Sequence, residues 1–184
     1  MKSQHIQKIT EILDLAQNDP HPVSGPFHLH NYLSVFEQSH PLRWTIRFTN
    51  DYLDTVQIRH HLRLKQYLET LISLSDFQHL ISDSMMKIAE EIWYLKIDTS
   101  ELTQDEVEQE VLYQRAVSRL YASIAQYLDN DYHESKKDLS RVISVLSQIN
   151  EDKFWDFLKH HFLDYVNSEC SPNAPQKSEM KRTL

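Results

Sequence analysis

Glycine and proline are nearly absent from most of this chain. Among 184 residues, Gly25 is the single glycine. The six prolines lie at Pro20, Pro22, Pro26, Pro41, Pro172 and Pro175. The stretch from Leu42 to Ser171 therefore contains neither residue type. Tight β-hairpin turns depend on glycine, whereas both residues interrupt helices. Their absence argues against a sheet protein and predicts an all-α fold.

Cysteine, long apolar runs and net positive charge are also lacking. Cys170 is the single cysteine, which excludes an internal disulfide and fits a reducing compartment. No run of about eighteen apolar residues is present, so we expect no membrane span. The mixed charge of residues 1–15 does not resemble a signal peptide, and we expect a cytoplasmic location. A net charge of −8 argues against general affinity for nucleic acids.

Apolar residues recur three and four positions apart along most of the chain, as on the buried face of a helix. We predict a single-domain bundle of six to eight mostly antiparallel helices, because the connections are short. Residues 1–18 are predicted to form an amphipathic helix and a candidate mobile arm, and residues 19–26 a linker. The helical bundle then spans 27–169, and 170–184 forms a disordered tail or a linker.

Capping signatures suggest where the helices begin. A polar residue followed three positions later by Glu or Gln predicts a helix start. It occurs at Ser75 with Gln78, at Thr103 with Glu106 and at Asp131 with Glu134. Asn150 is a candidate cap for the last helix. Residues 42–74 are predicted to form one long helix or two, with a candidate bend at Asn50–Asp51, and Pro41 marks a boundary.

A short turn, Asn130-Asp131-Tyr132, is followed by Glu134, Ser135, Leu139, Val142 and Ile143. With these residues, the segment 121–146 resembles one tetratricopeptide-type helical hairpin. The resemblance covers about one repeat, with no second copy at a period of 34 residues. It implies that two helices pack antiparallel across this short turn.

Eleven histidines raise the question of a metal site. Two carboxylate-x-x-His pairs, Glu37 with His40 and Asp76 with His79, have the spacing used in di-metal helical bundles. Both pairs sit at predicted helix ends, unlike that pattern, so the metal site is a secondary hypothesis and we expect no cofactor. His28 and His30 are expected to face solvent. In each doublet, His60-His61 and His160-His161, one ring is expected to face the core rim and the other water.

A basic stripe, defined by Arg43, Arg47, Arg59, Arg63 and Lys65, runs between aromatic residues. Such a stripe could track phosphates, which makes nucleic-acid binding a third hypothesis. We favour a solvated face that pairs with an acidic run, on the same chain or on a second copy. That run consists of Asp98, Glu101, Asp105, Glu106, Glu108 and Glu110.

Function is predicted mainly by exclusion. With one glycine the chain has no phosphate-binding loop and no glycine-rich nucleophile elbow, so we favour a protein that is not an enzyme. The leading hypothesis is a helical protein–protein interaction module, as a homodimer or an assembly subunit. Trp155 and Tyr94 lie outside the predicted apolar faces of their helices. They are candidate partner contacts, because exposed aromatic residues often contribute most of the binding energy at interfaces. The alternative is a helical-bundle enzyme or ligand-binding domain, metal-dependent in one version, with a pocket between helices.

Overall fold

Eight helices make up the regular structure of the part of the chain that can be described. The computed structural model describes the backbone of residues 2–56 and 62–170 and the side chains of 6–56 and 63–170. The helices are α1 (Lys2–Asn18), α2 (Ser24–Ser34), α3 (His40–Val56), α4 (Leu62–Ile72), α5 (Ser82–Trp93), α6 (Gln104–Leu128), α7 (Tyr132–Leu146) and α8 (Glu151–Glu169). The predicted all-α bundle of six to eight helices is confirmed. Within the described ranges, no helix is long and apolar enough to cross a membrane.

Two of the three predicted capping signatures mark real helix starts. Thr103 and Glu106 form a reciprocal capping box at α6, with the Glu106 carboxylate 2.8 Å from the Thr103 backbone nitrogen. The Asp131 carboxylate accepts from the backbone N–H of Glu134 at the start of α7. The prediction at Ser75 is wrong, because α5 begins only at Ser82. Next to Ser75, the Asp76 carboxylate accepts a hydrogen bond from the backbone N–H of Gln78 in a turn. This bond satisfies the Gln78 donor without a helix.

α3 ends at Val56 and α4 begins at Leu62, and residues 57–61 lie outside the described residues. α3 continues through Asn50 and Asp51 without the predicted bend. Pro41 lies in the first turn of α3, as a helix boundary requires, since its missing N–H has no partner to lose there. Asn150 precedes α8 as predicted, but its side chain makes no capping hydrogen bond.

α6 packs between α5 and α7, and each pair is antiparallel. The start of α5 meets the end of α6, where the Ser82 hydroxyl donates to the Asp129 carboxylate at 2.8 Å. The start of α7 also returns along α6, where the Ser135 hydroxyl donates to the Ser123 carbonyl. Asn130, in the turn between α6 and α7, has a positive φ of 62°, a conformation that asparagine adopts more readily than most residues. The antiparallel pairing of α6 and α7 is confirmed.

Aromatic side chains join α3 to α8. Trp44 and Phe48 are fully buried, and their rings meet Phe162 and Phe154 edge-on at centroid distances of 5.1 and 5.7 Å. Edge-to-face contacts of this kind add to the free energy gained from burying the rings. Cys170, predicted to begin the tail, is buried at the end of α8, whereas 171–184 lie outside the described residues.

The N-terminal helix contributes to the core. Ile9 and Leu13 of α1 are buried, and α1 packs against α2 and α8. The predicted division into an arm, a linker and a bundle stays a prediction.

His30 lies at the centre of the bundle, and the expectation that it faces solvent is wrong. Its ring is fully buried, with Nδ1 2.9 Å from the Ser140 hydroxyl and Nε2 3.0 Å from the Thr45 hydroxyl. Burial lowers the pKa of His30 to about 3, so the ring is neutral at pH 7. His30 therefore joins α2, α3 and α7 through uncharged hydrogen bonds.

Candidate functional site

Two adjacent aromatic side chains are exposed where α5 ends. Trp93 is the last residue of α5 and Tyr94 is its C-cap, and their side chains are 43% and 79% exposed. Met86, two turns earlier, is 36% exposed. Large aromatic groups normally lose most of their contact with water on folding, so an adjacent exposed pair marks a candidate binding surface.

α5 presents these groups because its other face is used for packing. Met85, Ala89 and Ile92 recur at helical spacing and are buried where α5 packs against α6. Trp93 follows Ile92 by one position, which turns its side chain about 100° away from the centre of the buried face. The sequence of α5 therefore leaves Met86 and Trp93 at the edge of its outer side.

Gln114 of α6 fixes the end of α5. Its amide nitrogen lies 2.6 Å from the carbonyl oxygen of Ile92, 3.1 Å from that of Trp93 and 2.8 Å from that of Leu95. The last carbonyls of a helix lack partners within the helix, and here one buried side chain provides the donor. Gln114 therefore fixes the backbone that carries Trp93 and Tyr94.

Arg119 of α6 fixes the Trp93 ring. Its guanidinium carbon lies 5.8 Å from the ring centroid, within the range of a cation–π contact. The same guanidinium donates to the buried Asp138 carboxylate at 2.9 Å, which orients it. We call the surface formed by Met86, Trp93, Tyr94 and Arg119 the Trp93 face.

The sequence around the Trp93 face is strongly acidic. Residues 83–110 contain nine carboxylates and two lysines, which gives this segment a net charge of −7. The net charge of the whole chain is −8. Many of these carboxylates are exposed: Glu90, Glu91, Asp98, Glu101, Asp105 and Glu108. A hydrogen bond from the backbone N–H of Ser100 lowers the pKa of Asp98 and keeps it ionised. The exposed aromatic pair lies within a segment of negative charge.

The two aromatic residues singled out from the sequence are placed differently. Tyr94 is exposed, as predicted. Trp155 is partly buried against the core, with its ring edge-on to Phe154 at 5.3 Å. Its predicted role in partner binding stays a prediction. Trp93 and Arg119 were not predicted, although Trp93 lies next to Tyr94 in the sequence.

The described residues of the basic stripe do not form one continuous exposed surface. Arg47 donates to Glu169 at 2.9 Å and lies over the Tyr165 ring, so its partner is on α8 and is not the predicted acidic run. Arg63 lies over the ring of Tyr67. Arg43 is half-buried. The Lys65 ammonium nitrogen lies 3.9 Å from a Glu69 carboxylate oxygen. Arg59 lies outside the described residues.

The candidate metal ligands form two separate carboxylate–histidine pairs. Glu37 lies 4.0 Å from His40, whose Nδ1 is engaged with the Tyr165 hydroxyl at 2.9 Å. Asp76 lies in the turn before α5, and His79 nearby is exposed. Among the side chains that the structure describes, no three His, Cys, Asp or Glu residues are grouped to hold a metal ion. Metal binding at these residues stays a prediction.

No protein-family model matches this chain, and no curated protein or solved structure gives a match. Function is therefore inferred from the geometry of the described residues.

Proposed function

We propose that this chain is a protein-binding helical module that uses the Trp93 face to bind a basic polypeptide segment. The observation that carries the proposal is the adjacent exposed pair Trp93 and Tyr94, at a helix end whose backbone Gln114 fixes and with Arg119 over the Trp93 ring. Trp, Tyr and Arg are the residues most enriched among those that dominate binding energy at protein interfaces.

The fixed backbone at the end of α5 and the restrained Trp93 ring support binding. A side chain that is already immobilised loses little conformational freedom when a partner covers it, so more of the contact energy appears as affinity. Gln114 holds the backbone of the pair, and Arg119 restrains the indole ring of Trp93. Met86 adds a flexible apolar side chain of the kind that adapts to different partner surfaces.

The charge around the Trp93 face determines the chemistry of the partner. A partner segment with Lys or Arg would be attracted by the net charge of −7 carried by residues 83–110, which speeds association and disfavours acidic partners. Apolar side chains on the same segment would cover Trp93 and Tyr94. An amphipathic basic helix has both properties.

The test is capture of partners from an extract of the source organism by the immobilised chain. We expect a basic protein to be captured, and the double substitution Trp93→Ala with Tyr94→Ala to reduce its capture at least about tenfold, because it removes two aromatic anchors. Quantitative mass spectrometry of the captured proteins measures the change.

The control is Val35→Ala with Phe36→Ala. These adjacent side chains are 80% and 42% exposed, which matches the exposure of the aromatic pair in reverse order, and they follow α2. The control variant should capture the partner as the unchanged chain does. Equal capture by all three proteins, or loss in the Val35–Phe36 variant alone, would place binding elsewhere.

A further inference from the structure

A second surface feature lies between α2 and α7, apart from the Trp93 face. It is a cavity of about 350 Å³ lined by His21, Val23, Phe27, His133, Lys137 and Arg141. Ser24, the first residue of α2, completes the lining. Its volume falls in the lower part of the range of pockets that hold small organic molecules.

The cavity has an aromatic wall. The rings of Phe27 and His133 meet edge-on with centroids 5.4 Å apart. The ammonium group of Lys136 lies 5.5 Å from the Phe27 ring centroid, next to the cavity. This wall offers apolar contact to a ligand that is larger than an inorganic ion.

Positive charge beside the cavity is only partly neutralised. Arg141 donates to one oxygen of Asp138 at 2.7 Å, and Arg119 donates to the same oxygen at 2.9 Å. Asp138 is buried, so one carboxylate holds two guanidinium groups and one positive charge is left over. Asp138 therefore positions Arg141 without cancelling its charge.

The other polar groups of the cavity include hydrogen-bond donors. Lys137 pairs with Glu134, and its three N–H groups exceed what one carboxylate oxygen accepts. His21 Nδ1 accepts from the backbone N–H groups of Val23 and Ser24 at 3.3 and 3.4 Å. In a neutral ring the other nitrogen, Nε2, then carries the proton and is a donor.

We propose that this cavity binds a small organic anion, a carboxylate or a phosphate monoester attached to an apolar body. Arg141 and Lys137 bind the anionic group, because guanidinium and ammonium groups form the strongest hydrogen bonds to such oxygens. Phe27 and the ring of His133 contact the apolar body. The cavity and the Trp93 face are lined by different residues, so the two proposals are tested with different substitutions.

NMR titration of the ¹⁵N-labelled full chain tests the site, with benzoate and phenyl phosphate as anionic probes and benzyl alcohol as the neutral analogue. We expect saturable amide shifts confined to residues 21–27 and 133–141 for at least one anion, and none for benzyl alcohol. Arg141→Met should weaken binding about tenfold or more, the usual value of a lost charge-assisted hydrogen bond. Lys137→Met, a second variant, should weaken it in the same direction.

The control is Arg63→Met, which removes an exposed guanidinium from α4. It should bind the anion as tightly as the unchanged chain, and the spectrum of each variant reports whether it is folded. The proposal is overturned if neither anion gives saturable shifts at these residues. It is also overturned if folded Arg141→Met and Lys137→Met bind as tightly as the Arg63→Met control.

Discussion

Replacing Gly25 with alanine is expected to lower the free energy of unfolding by about 2 kcal/mol, although alanine is the better helix former. Gly25 lies in the first turn of α2 and is buried against α1. A Cβ atom at this position would lie 2.3 Å from the carbonyl oxygen of Ala16. Because that atom belongs to the backbone of α1, the two helices would have to move apart. Urea denaturation followed by circular dichroism measures the loss.

The control for this variant is Ser34→Ala at the other end of α2. Ser34 is half-buried, and its hydroxyl donates to the Asn31 carbonyl of the same helix, so we expect a change smaller than about 1 kcal/mol. If Gly25→Ala were as stable as the unchanged chain or more so, the close approach of α1 to α2 would be contradicted.

The folded chain is expected to lose stability steadily as the pH falls below about 6.5, with His30 as a main cause. The pKa of His30 falls from 6.5 to about 3 on folding because of its burial. The unfolded chain therefore takes up this proton first as the pH drops, and stability present above pH 6.5 is lost progressively towards pH 3. For one such group the loss between pH 7 and pH 5 is about 2 kcal/mol.

The neutral state of His30 constrains the hydrogen bonds of its two hydroxyl partners. The hydroxyls of Thr45 and Ser140 lie 2.8 Å from backbone carbonyls of their own helices. If both donated to those carbonyls, both ring nitrogens would have to donate and the ring would be charged. A neutral buried ring therefore requires one hydroxyl to donate to His30 instead. The charged ring is disfavoured by its burial and not by these hydrogen bonds.

The variant His30→Gln separates this group from the other titrating groups. It should be less stable at pH 7, because a hydroxyl partner is lost, but its stability should fall less steeply with acid. Between pH 6 and pH 4 the two slopes should differ by roughly 1.4 kcal/mol per pH unit. His160→Gln, which removes an exposed ring from α8, is the matched control. Identical slopes for all three proteins would show that His30 does not titrate on unfolding.

Much of the helical architecture follows from local chemistry that is visible in the sequence. Thr103 and Asp131 begin helices because their side chains accept backbone N–H groups that have no partner within the helix. The same signature fails at Ser75, since Asp76 next to it satisfies the nearby N–H in a turn. Local propensity alone does not distinguish these two outcomes.

Several positions in the core and at the surface depend on contacts between distant segments. The sequence predicts that Gly25 is part of a linker, because the adjacent residues do not indicate that the Ala16 carbonyl packs against it. His30 was recoverable in principle, since it lies three residues before Leu33 and shares its buried face. Trp93 and Trp155 both flank apolar stripes, and only the packing of α5 and α8 distinguishes the exposed ring from the half-buried one.

Arg119 belongs to the Trp93 face and is linked to the cavity through Asp138. It lies over the ring of Trp93 and shares the Asp138 carboxylate with Arg141, which lines the cavity. Its substitution would disturb both surfaces together. The separate tests therefore use Trp93 and Tyr94 for the interaction face and Arg141 and Lys137 for the cavity.

Photo-crosslinking from position 94 tests the interaction face most directly. A benzophenone amino acid placed at Tyr94 is compared with the same group at Phe36, in an extract of the source organism. We expect an adduct with a basic protein from position 94 and none from position 36. An adduct from position 36 alone, an adduct only with a second copy of this chain, or no adduct from position 94 would contradict the proposal.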